Sequence, residues 1–164
     1  FCPGAEFGPA KRWPHYHYAA LAKQLIDEGY QIVLFGSAKD HDAGNEILAS
    51  LSVEQQAWCR NLAGETELEQ AVILIAACRA VVSNDSGLMH VAAALDRPLV
   101  ALYGPSSPDF TPPLSHKARV IRLITGYPKV RKGDAAEGYH QSLIDITPER
   151  VLDELNALLL SEEG

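Results

Sequence analysis

Short, nearly continuous apolar runs along this chain alternate with longer segments in which apolar residues recur every three or four positions. The runs at residues 31–36, 80–82 and 98–104 are typical of strands buried on both faces. The helical spacing predicts helices at five places: after Pro14, through Ile47 and Leu51, from Leu68 to Cys78, from about Ser86, and from Pro148. Strands that alternate with helices predict an α/β fold, a parallel sheet with helices on both faces.

Local signals refine the ends of these elements. Gly29 is expected to end the first helix with a positive φ. Two candidate capping boxes mark helix starts: Ser52 with Gln55 predicts one further, short helix that reaches Trp58, and Thr66 with Glu69 would open the Leu68 to Cys78 helix. Residues 60–64 are a weak strand candidate, residues 119–124 alternate as an edge strand would, and residues 125–142 are polar.

The strongest candidate site is the turn after the second buried strand, at residues 83–90. A polar, glycine-containing turn that opens a helix leaves backbone N–H groups unpaired, and with the helix dipole these suit a phosphate. Asp85 is able to accept from sugar hydroxyls, and His90 lies about one turn further. Ligands of parallel sheets lie outside the carboxyl ends of the strands. Three loops should therefore share one edge: Gly36-Ser37, Asp85-Ser86-Gly87 and Tyr103-Gly104.

Composition limits the classes of function. The 164 residues suffice for one domain with a real core, and 47% hydrophobic with 21% charged residues is a globular composition. A net charge of −7 argues against a nucleic-acid surface and against capture by anionic lipid. The sequence has no apolar run of membrane-spanning length and no signal peptide at its start. Three cysteines without a CxxC indicate reduced thiols in a cytosolic protein.

Several familiar motifs are missing from the sequence. It contains no GxGxxG, no P-loop, no HExxH and no GxSxG, and no cluster with metal-ligand spacing, although Mg²⁺ on a bound diphosphate is compatible with it. What remains is a phosphate-suited helix start, nearby carboxylates, and Lys11 with Arg12 on the first loop. This set predicts a phosphorylated, sugar-containing ligand.

Each assignment has a structural alternative. Asp85 could be only the N-cap of its helix, and His90 an ordinary helix histidine. Asp40 and Asp42 could merely favour the start of the second helix. Trp13 is expected to be a core anchor rather than a stacking platform. The basic residues could be solvated surface charges: Lys11, Arg12, Lys129, Arg131 and Lys132.

Five sequence blocks, in their order along the chain, carry a resemblance to a known family: residues 3–6, 11–14, 35–37, 84–90 and 103–105. Through them the chain resembles the C-terminal half of the ADP-heptose:LPS heptosyltransferases over essentially all 164 residues, most specifically at residues 83–108. The resemblance implies a Rossmann-like fold, the C-terminal domain of a GT-B glycosyltransferase. Residues 1–164 would be one nucleotide-sugar-binding domain whose N-terminal acceptor domain is absent, as the start at Phe1 without Met also indicates.

The resemblance also implies roles for individual residues. Lys11 would hold the diphosphate, and Asp85 the hydroxyls of the donor heptose, so these two are the catalytic candidates. Ser86 and Gly87 would meet the diphosphate with backbone N–H groups. The remaining donor contacts would be His90 near the diphosphate, Asp40 (with Asp42 in reserve) on the ribose after Gly36 and Ser37, and Thr66 near the adenine. The general base would lie in the absent domain.

The reaction implied is an inverting transfer of L-glycero-D-manno-heptose from ADP-heptose to heptosyl-Kdo-lipid A of the lipopolysaccharide inner core. It would take place in the cytoplasm, with peripheral contact to the inner membrane. One departure from the family pattern is Glu6-Phe7-Gly8, where relatives carry hydroxyl residues before the lysine. Two alternatives stay open: a UDP-sugar transferase or epimerase of the same architecture, and a non-enzymatic α/β binding module.

Overall fold

The computed structural model describes residues 1–4, 11–105, 112–123 and 138–163. Its helices are α1 (His15–Asp27), α2 (His41–Ala49), α3 (Val53–Gln56), α4 (Leu68–Ala76), α5 (Gly87–Ala94), α6 (Gln141–Ile144) and α7 (Pro148–Glu163). Its strands are β1 (Ile32–Leu34), β2 (Cys59–Asn61), β3 (Val81–Asn84), β4 (Leu99–Tyr103) and β5 (Ala118–Arg122). A turn of 3₁₀-helix, Ala38–Asp40, leads into α2.

The first two residues join two groups of parallel strands into one sheet. Strand β1 pairs with β2, and β3 pairs with β4, which pairs with β5. Between the groups, Phe1 donates its amino N–H to the carbonyl of Val33 at 2.8 Å, and Cys2 donates to Val82 at 2.9 Å. The order is therefore β2, β1, residues 1–2, β3, β4, β5. Taken in chain order this is 3-2-1-4-5-6, which reverses between residues 1–2 and β3 and predicts a ligand crevice there.

Two apolar cores lie on the two faces of the sheet, as predicted. Strand β4 is a continuous apolar run because both of its faces are buried. Val100 and Leu102 face one core, and the alternate residues face the other: Leu99, Ala101 and Tyr103. Helices α1, α2 and α7 cover the first face, and α4 and α5 cover the second. The edge position predicted for residues 119–124 is confirmed by β5, which pairs with β4 alone among the described strands.

Several helix ends agree with the sequence signals. Gly29 ends α1 with a φ of 96°. Ser52 and Gln55 form the predicted capping box, because each side chain accepts from the other's backbone N–H, at 3.1 and 3.0 Å. Thr147 caps α7, since its Oγ1 accepts from the N–H of Arg150 at 3.2 Å.

Other boundaries were predicted wrongly. Thr66 and Glu69 do not form a capping box: α4 begins at Leu68 as predicted, but its N-cap is Glu67, whose N–H donates to Gln70 at 2.9 Å. The chain just before it forms a turn in which the N–H of Glu65 donates to the carbonyl of Leu62 at 2.9 Å. Helix α4 ends at Ala76 rather than Cys78, and β2 covers residues 59–61 rather than 60–64. Helix α6, for which no helix was predicted, begins at the end of the polar segment 125–142.

Some predictions fall outside the described residues. These are the departure at residues 6–8, most of the loop after β4, and the basic cluster at residues 129–132.

Candidate functional site

A cleft of about 530 Å³ opens at the carboxyl edge of the sheet, where the strand order reverses. Cys2, Gly4 and Phe35 line its base, which places it at the switch point between residues 1–2 and β3. Burial raises the pKa of the Cys2 thiol, so this side chain is neutral and contributes an apolar surface. Five predicted site residues line the same cleft: Gly36, Ser37, Asp40, Ser86 and Gly87.

The N-terminus of α5 forms one wall. Ser86 is its N-cap, with an extended backbone and an Oγ that accepts from the N–H of Met89 at 3.4 Å. The alternative in which Asp85 caps the helix is therefore wrong. The first N–H groups of a helix have no carbonyl partner within it, so the start of α5 offers donors to an anion. A Cβ built on Gly87 would meet no heavy atom of another described residue within 4 Å, so none of the residues that the structure describes blocks access to these donors.

Asp40 forms the opposite wall and is held from several sides. Its Oδ2 accepts from the backbone N–H of Ser37 at 2.8 Å and from the Ser37 hydroxyl at 3.1 Å. Its Oδ1 lies 3.5 Å from a guanidinium nitrogen of Arg12. The carboxyl group also packs on Gly4 and Gly36, where no Cβ would fit without a shift. Asp40 thus closes the 3₁₀ turn that leads into α2, and it also presents a fixed carboxylate to the cleft.

Two features of the cleft were not predicted. Lys39 lines it beside Asp40 and brings a positive charge. Leu68, Leu88 and Val91 form an apolar wall on the side of α4 and α5. The only sequence signal for Lys39 is its position in the loop that follows β1, because it belongs to none of the sequence motifs described above.

Asn84 lies in the candidate turn at residues 83–90, and no role was predicted for it from the sequence. It is the last residue of β3, and its side chain is completely buried. Its Oδ1 accepts from the N–H of Trp13 at 2.9 Å and from the hydroxyl of Tyr18 at 2.8 Å. Trp13 is the predicted core anchor, 1% exposed, with its indole N–H donating to the carbonyl of Ile146.

Four predicted site residues lie outside the described lining of the cleft. Asp85 is half-buried between β3 and α5, and His90 is exposed on α5. Thr66 precedes Leu68 of the apolar wall by two positions. Lys11 is half-buried next to Arg12, whose guanidinium reaches Asp40. Asp85, His90 and Thr66 therefore lie within two positions of a residue that lines the cleft, and Lys11 is next to Arg12, which contacts the cleft residue Asp40.

The described residues contain neither a candidate metal site nor a membrane-spanning helix. That part of the chain holds no group of three His, Cys, Asp or Glu side chains placed to bind a metal ion. None of the helices described is both long and apolar enough to cross a bilayer.

Comparison with known proteins gives consistent matches. Residues 1–140 match the model of glycosyltransferase family 9 (heptosyltransferase). Lipopolysaccharide heptosyltransferase 2 of Escherichia coli K12 is 90% identical over 164 residues, which are 100% of this chain and 47% of that protein. The chain spans about half the length of the curated relatives it matches.

Two solved structures share the fold. The structure of E. coli ADP-heptose LPS heptosyltransferase II superimposes with a TM-score of 0.92 at 84% identity, covering 100% of this chain and 46% of that one. E. coli heptosyltransferase WaaC with ADP gives a TM-score of 0.73 at 25% identity, covering 96% of this chain and 43% of that one.

Proposed function

The chain belongs to glycosyltransferase family 9 (heptosyltransferase), and we propose that it is the donor-binding domain of an enzyme that transfers heptose to the lipopolysaccharide inner core. Residues 1–164 would form this single nucleotide-sugar-binding domain. The observation that carries the proposal is the cleft at the switch point of the sheet, with the open N-terminus of α5 on one wall and the fixed carboxylate of Asp40 on the other. A diphosphate and a ribose need these two groups.

The donor is ADP-heptose, and its parts are distributed along the cleft. The diphosphate lies at Ser86 and Gly87, with Lys11 as its cation and His90 near it. The ribose hydroxyls donate to Asp40, in the loop that begins at Gly36 and Ser37. The adenine rests on the apolar wall at Leu68, close to Thr66, and the heptose hydroxyls meet Asp85. Two relatives of the same fold support this choice of nucleotide: heptosyltransferase WaaC, whose structure contains ADP, and the E. coli ADP-heptose LPS heptosyltransferase II.

The reaction is a substitution at the anomeric carbon of the donor heptose. As the diphosphate departs, negative charge grows on its leaving oxygen, and Lys11 with the start of α5 stabilises that charge more in the transition state than in the ground state. The attacking hydroxyl belongs to heptosyl-Kdo-lipid A, and a general base must take its proton on the opposite face of the sugar. Acceptor and base belong to the part of the enzyme beyond this chain. The proposed location is the cytoplasmic face of the inner membrane.

Titration calorimetry of the full-length protein with ADP-heptose, ADP and UDP tests the proposal. We expect ADP-heptose to bind more tightly than ADP, and UDP to give no heat. Tight binding of UDP would retain the fold and replace the substrate with a UDP-sugar. Silence from all three ligands would favour the non-enzymatic binding module.

Two variants then separate the parts of the donor. Lys11→Ala should weaken the binding of both ADP and ADP-heptose and lower turnover, because the diphosphate is common to both.

Asp85→Ala should weaken the binding of ADP-heptose towards the affinity of ADP and leave the binding of ADP itself nearly unchanged. Loss of ADP binding in Asp85→Ala would instead assign Asp85 a structural role.

A further inference from the structure

The side chain of Asn84 uses its whole hydrogen-bonding capacity inside the protein. Besides the two bonds that its Oδ1 accepts, its Nδ2 donates to the carbonyls of Pro3 at 2.7 Å and Gly4 at 3.2 Å. A primary amide has two donors and two acceptor sites, so none is left over. Burial raises the pKa of the Tyr18 phenol well above its usual range, which keeps that partner a donor. Each of the four bonds crosses to another segment of the chain.

These bonds hold both stems of the first loop. The loop leaves the sheet after Gly4 and returns at Trp13, and Asn84 contacts the backbone at both points, 80 and 71 residues away in sequence. Lys11 is two residues before the second stem. On the other side, Asp85 follows Asn84 directly and Ser86 begins α5. One buried amide thus connects the segment that carries the cation with the turn that offers the backbone donors.

We propose that Asn84 is a positioning residue that sets the first loop, and with it Lys11, at the correct distance from the N-terminus of α5. This rests on the proposed function, because the distance matters only if both groups hold the same diphosphate. Near the second stem, Arg12 makes an ion pair with Asp40 at 3.5 Å, and its Nε is buried without a hydrogen-bond partner among the described residues. The bonds of Asn84 therefore fix the two described stems, Gly4 and Trp13.

A purely structural asparagine would give a different result when replaced. Its loss would lower stability, since buried partners would be left unpaired, but a correctly folded variant would bind ligand normally. A positioning residue changes affinity in the folded protein as well. Displacement of a charged group by about 1 Å is enough to lose a large part of its effect on a bound or reacting group.

The chain offers a matched control in Asn61, the last residue of β2 in the same sheet. Its Nδ2 donates to the carbonyl of His41 and to Asn45, both at 3.0 Å, and its Oδ1 accepts from Ala63 at 3.1 Å. It is thus an asparagine at the same place in a strand, and its bonds serve α2 and the loop after β2 rather than the first loop.

The experiment compares Asn84→Leu and Asn61→Leu in the full-length protein, by thermal unfolding and by calorimetric titration with ADP. Both variants should unfold at lower temperature. Only Asn84→Leu should weaken ADP binding in the folded protein, by about tenfold, the effect of losing one charge-assisted contact. Equal ADP affinity in Asn84→Leu and wild type, or an equal loss in Asn61→Leu, would overturn the proposal. If Asn84→Leu does not fold, Asn84→Ser keeps a hydroxyl donor and is measured in its place.

A double-mutant cycle that combines Asn84→Leu with Lys11→Ala measures whether the two residues are coupled in ADP binding. A purely structural role of Asn84 would give no such coupling. If Asn84 acts through Lys11, then Asn84→Leu should cost little further ADP affinity once Lys11 is alanine. Fully additive losses would show that Asn84 acts elsewhere and would overturn the proposal. Wild-type protein that binds no ADP would overturn the proposed function and this inference together, whereas wild-type binding with an unaffected Asn84 variant would overturn the inference alone.

Discussion

Two glycines that line the cleft have opposite surroundings, and this separates packing from function at the scale of single residues. A Cβ on Gly36 would lie 2.7 Å from both Cβ and Oδ2 of Asp40. A Cβ on Gly87 would meet no atom of another described residue within 4 Å. Gly36 is thus required by the protein's own packing. Gly87 is the first residue of α5, and none of the described residues fills the space beside it.

Gly87→Ala should therefore raise stability while it lowers donor affinity. Alanine is favoured over glycine in a helix by roughly 0.5–1 kcal/mol. Its methyl group would push a diphosphate away from the N–H groups of α5, and the loss of one such contact weakens binding by about tenfold. Chemical denaturation and ADP titration of the same full-length variant measure both quantities.

Gly36→Ala is the control for that prediction. It should lower stability by about 1–3 kcal/mol, because the new methyl group overlaps Asp40. Unchanged ADP affinity in Gly87→Ala would mean that the diphosphate does not lie at the start of α5, and the site would have to be placed elsewhere along the cleft.

For single residues, the sequence predicted which loops meet at the site but not which side chains bond to one another there. Ser37 and Ser86 were placed on one edge by topology alone, and the structure brings both to the same cleft. The bonds of Asn84 were not predictable, because they join segments about 80 residues apart and depend on side-chain geometry. Asp40 shows the same limit: its position was predicted, while its partners Arg12 and Ser37 emerged only from the folded chain.

At the scale of elements, burial on both faces made the strands predictable. Strands β1, β3 and β4 are short apolar runs because neighbouring residues point into different cores. Helix α6 was missed because four residues are too few for a periodic pattern to appear. The capping pair of α4 was misassigned because Thr66-to-Glu69 and Glu67-to-Gln70 have the same spacing, so the sequence pattern alone does not decide between them.

The cap of α4 can be tested with two neighbouring exposed residues. Gln70 accepts from the N–H of Glu67 in the structure, whereas Glu69 is the residue that the sequence pattern had paired with Thr66. Gln70→Ala should lower stability by about 0.5–1 kcal/mol, since the N–H of Glu67 loses its partner at the helix end. Glu69→Ala removes the partner that the sequence pattern had predicted and should change stability by no more than about 0.3 kcal/mol. Urea denaturation of both variants measures the difference. A larger loss in Glu69→Ala would restore the capping box at Thr66.

At the scale of the whole molecule, two residues decide where the site lies. Phe1 and Cys2 close the gap between β1 and β3 and thereby create the reversal in strand order. Two residues carry too little pattern to be assigned a sheet position from sequence. Once they are in place, the loops at Ser37 and Ser86 face each other across one crevice, although 48 residues separate them in the chain.

The charge of the molecule poses a problem that the cleft has to solve, because a chain with a net charge of −7 is proposed to bind an anionic diphosphate. Lys39 is the cation that lines the cleft among the described residues. Lys39→Ala should weaken ADP binding about three- to tenfold at low salt, and the difference from wild type should shrink as salt screens the charge.

Lys23, exposed on α1, provides the matched control. Lys23→Ala makes the same change in net charge away from the cleft, so it should leave ADP affinity unchanged at every salt concentration. If both lysine variants weakened ADP binding equally, the net charge of the protein would govern affinity and Lys39 would have no local part. If neither did, the first loop with Lys11 would supply the attraction, and the Lys11→Ala titration would then show nearly all of the salt dependence.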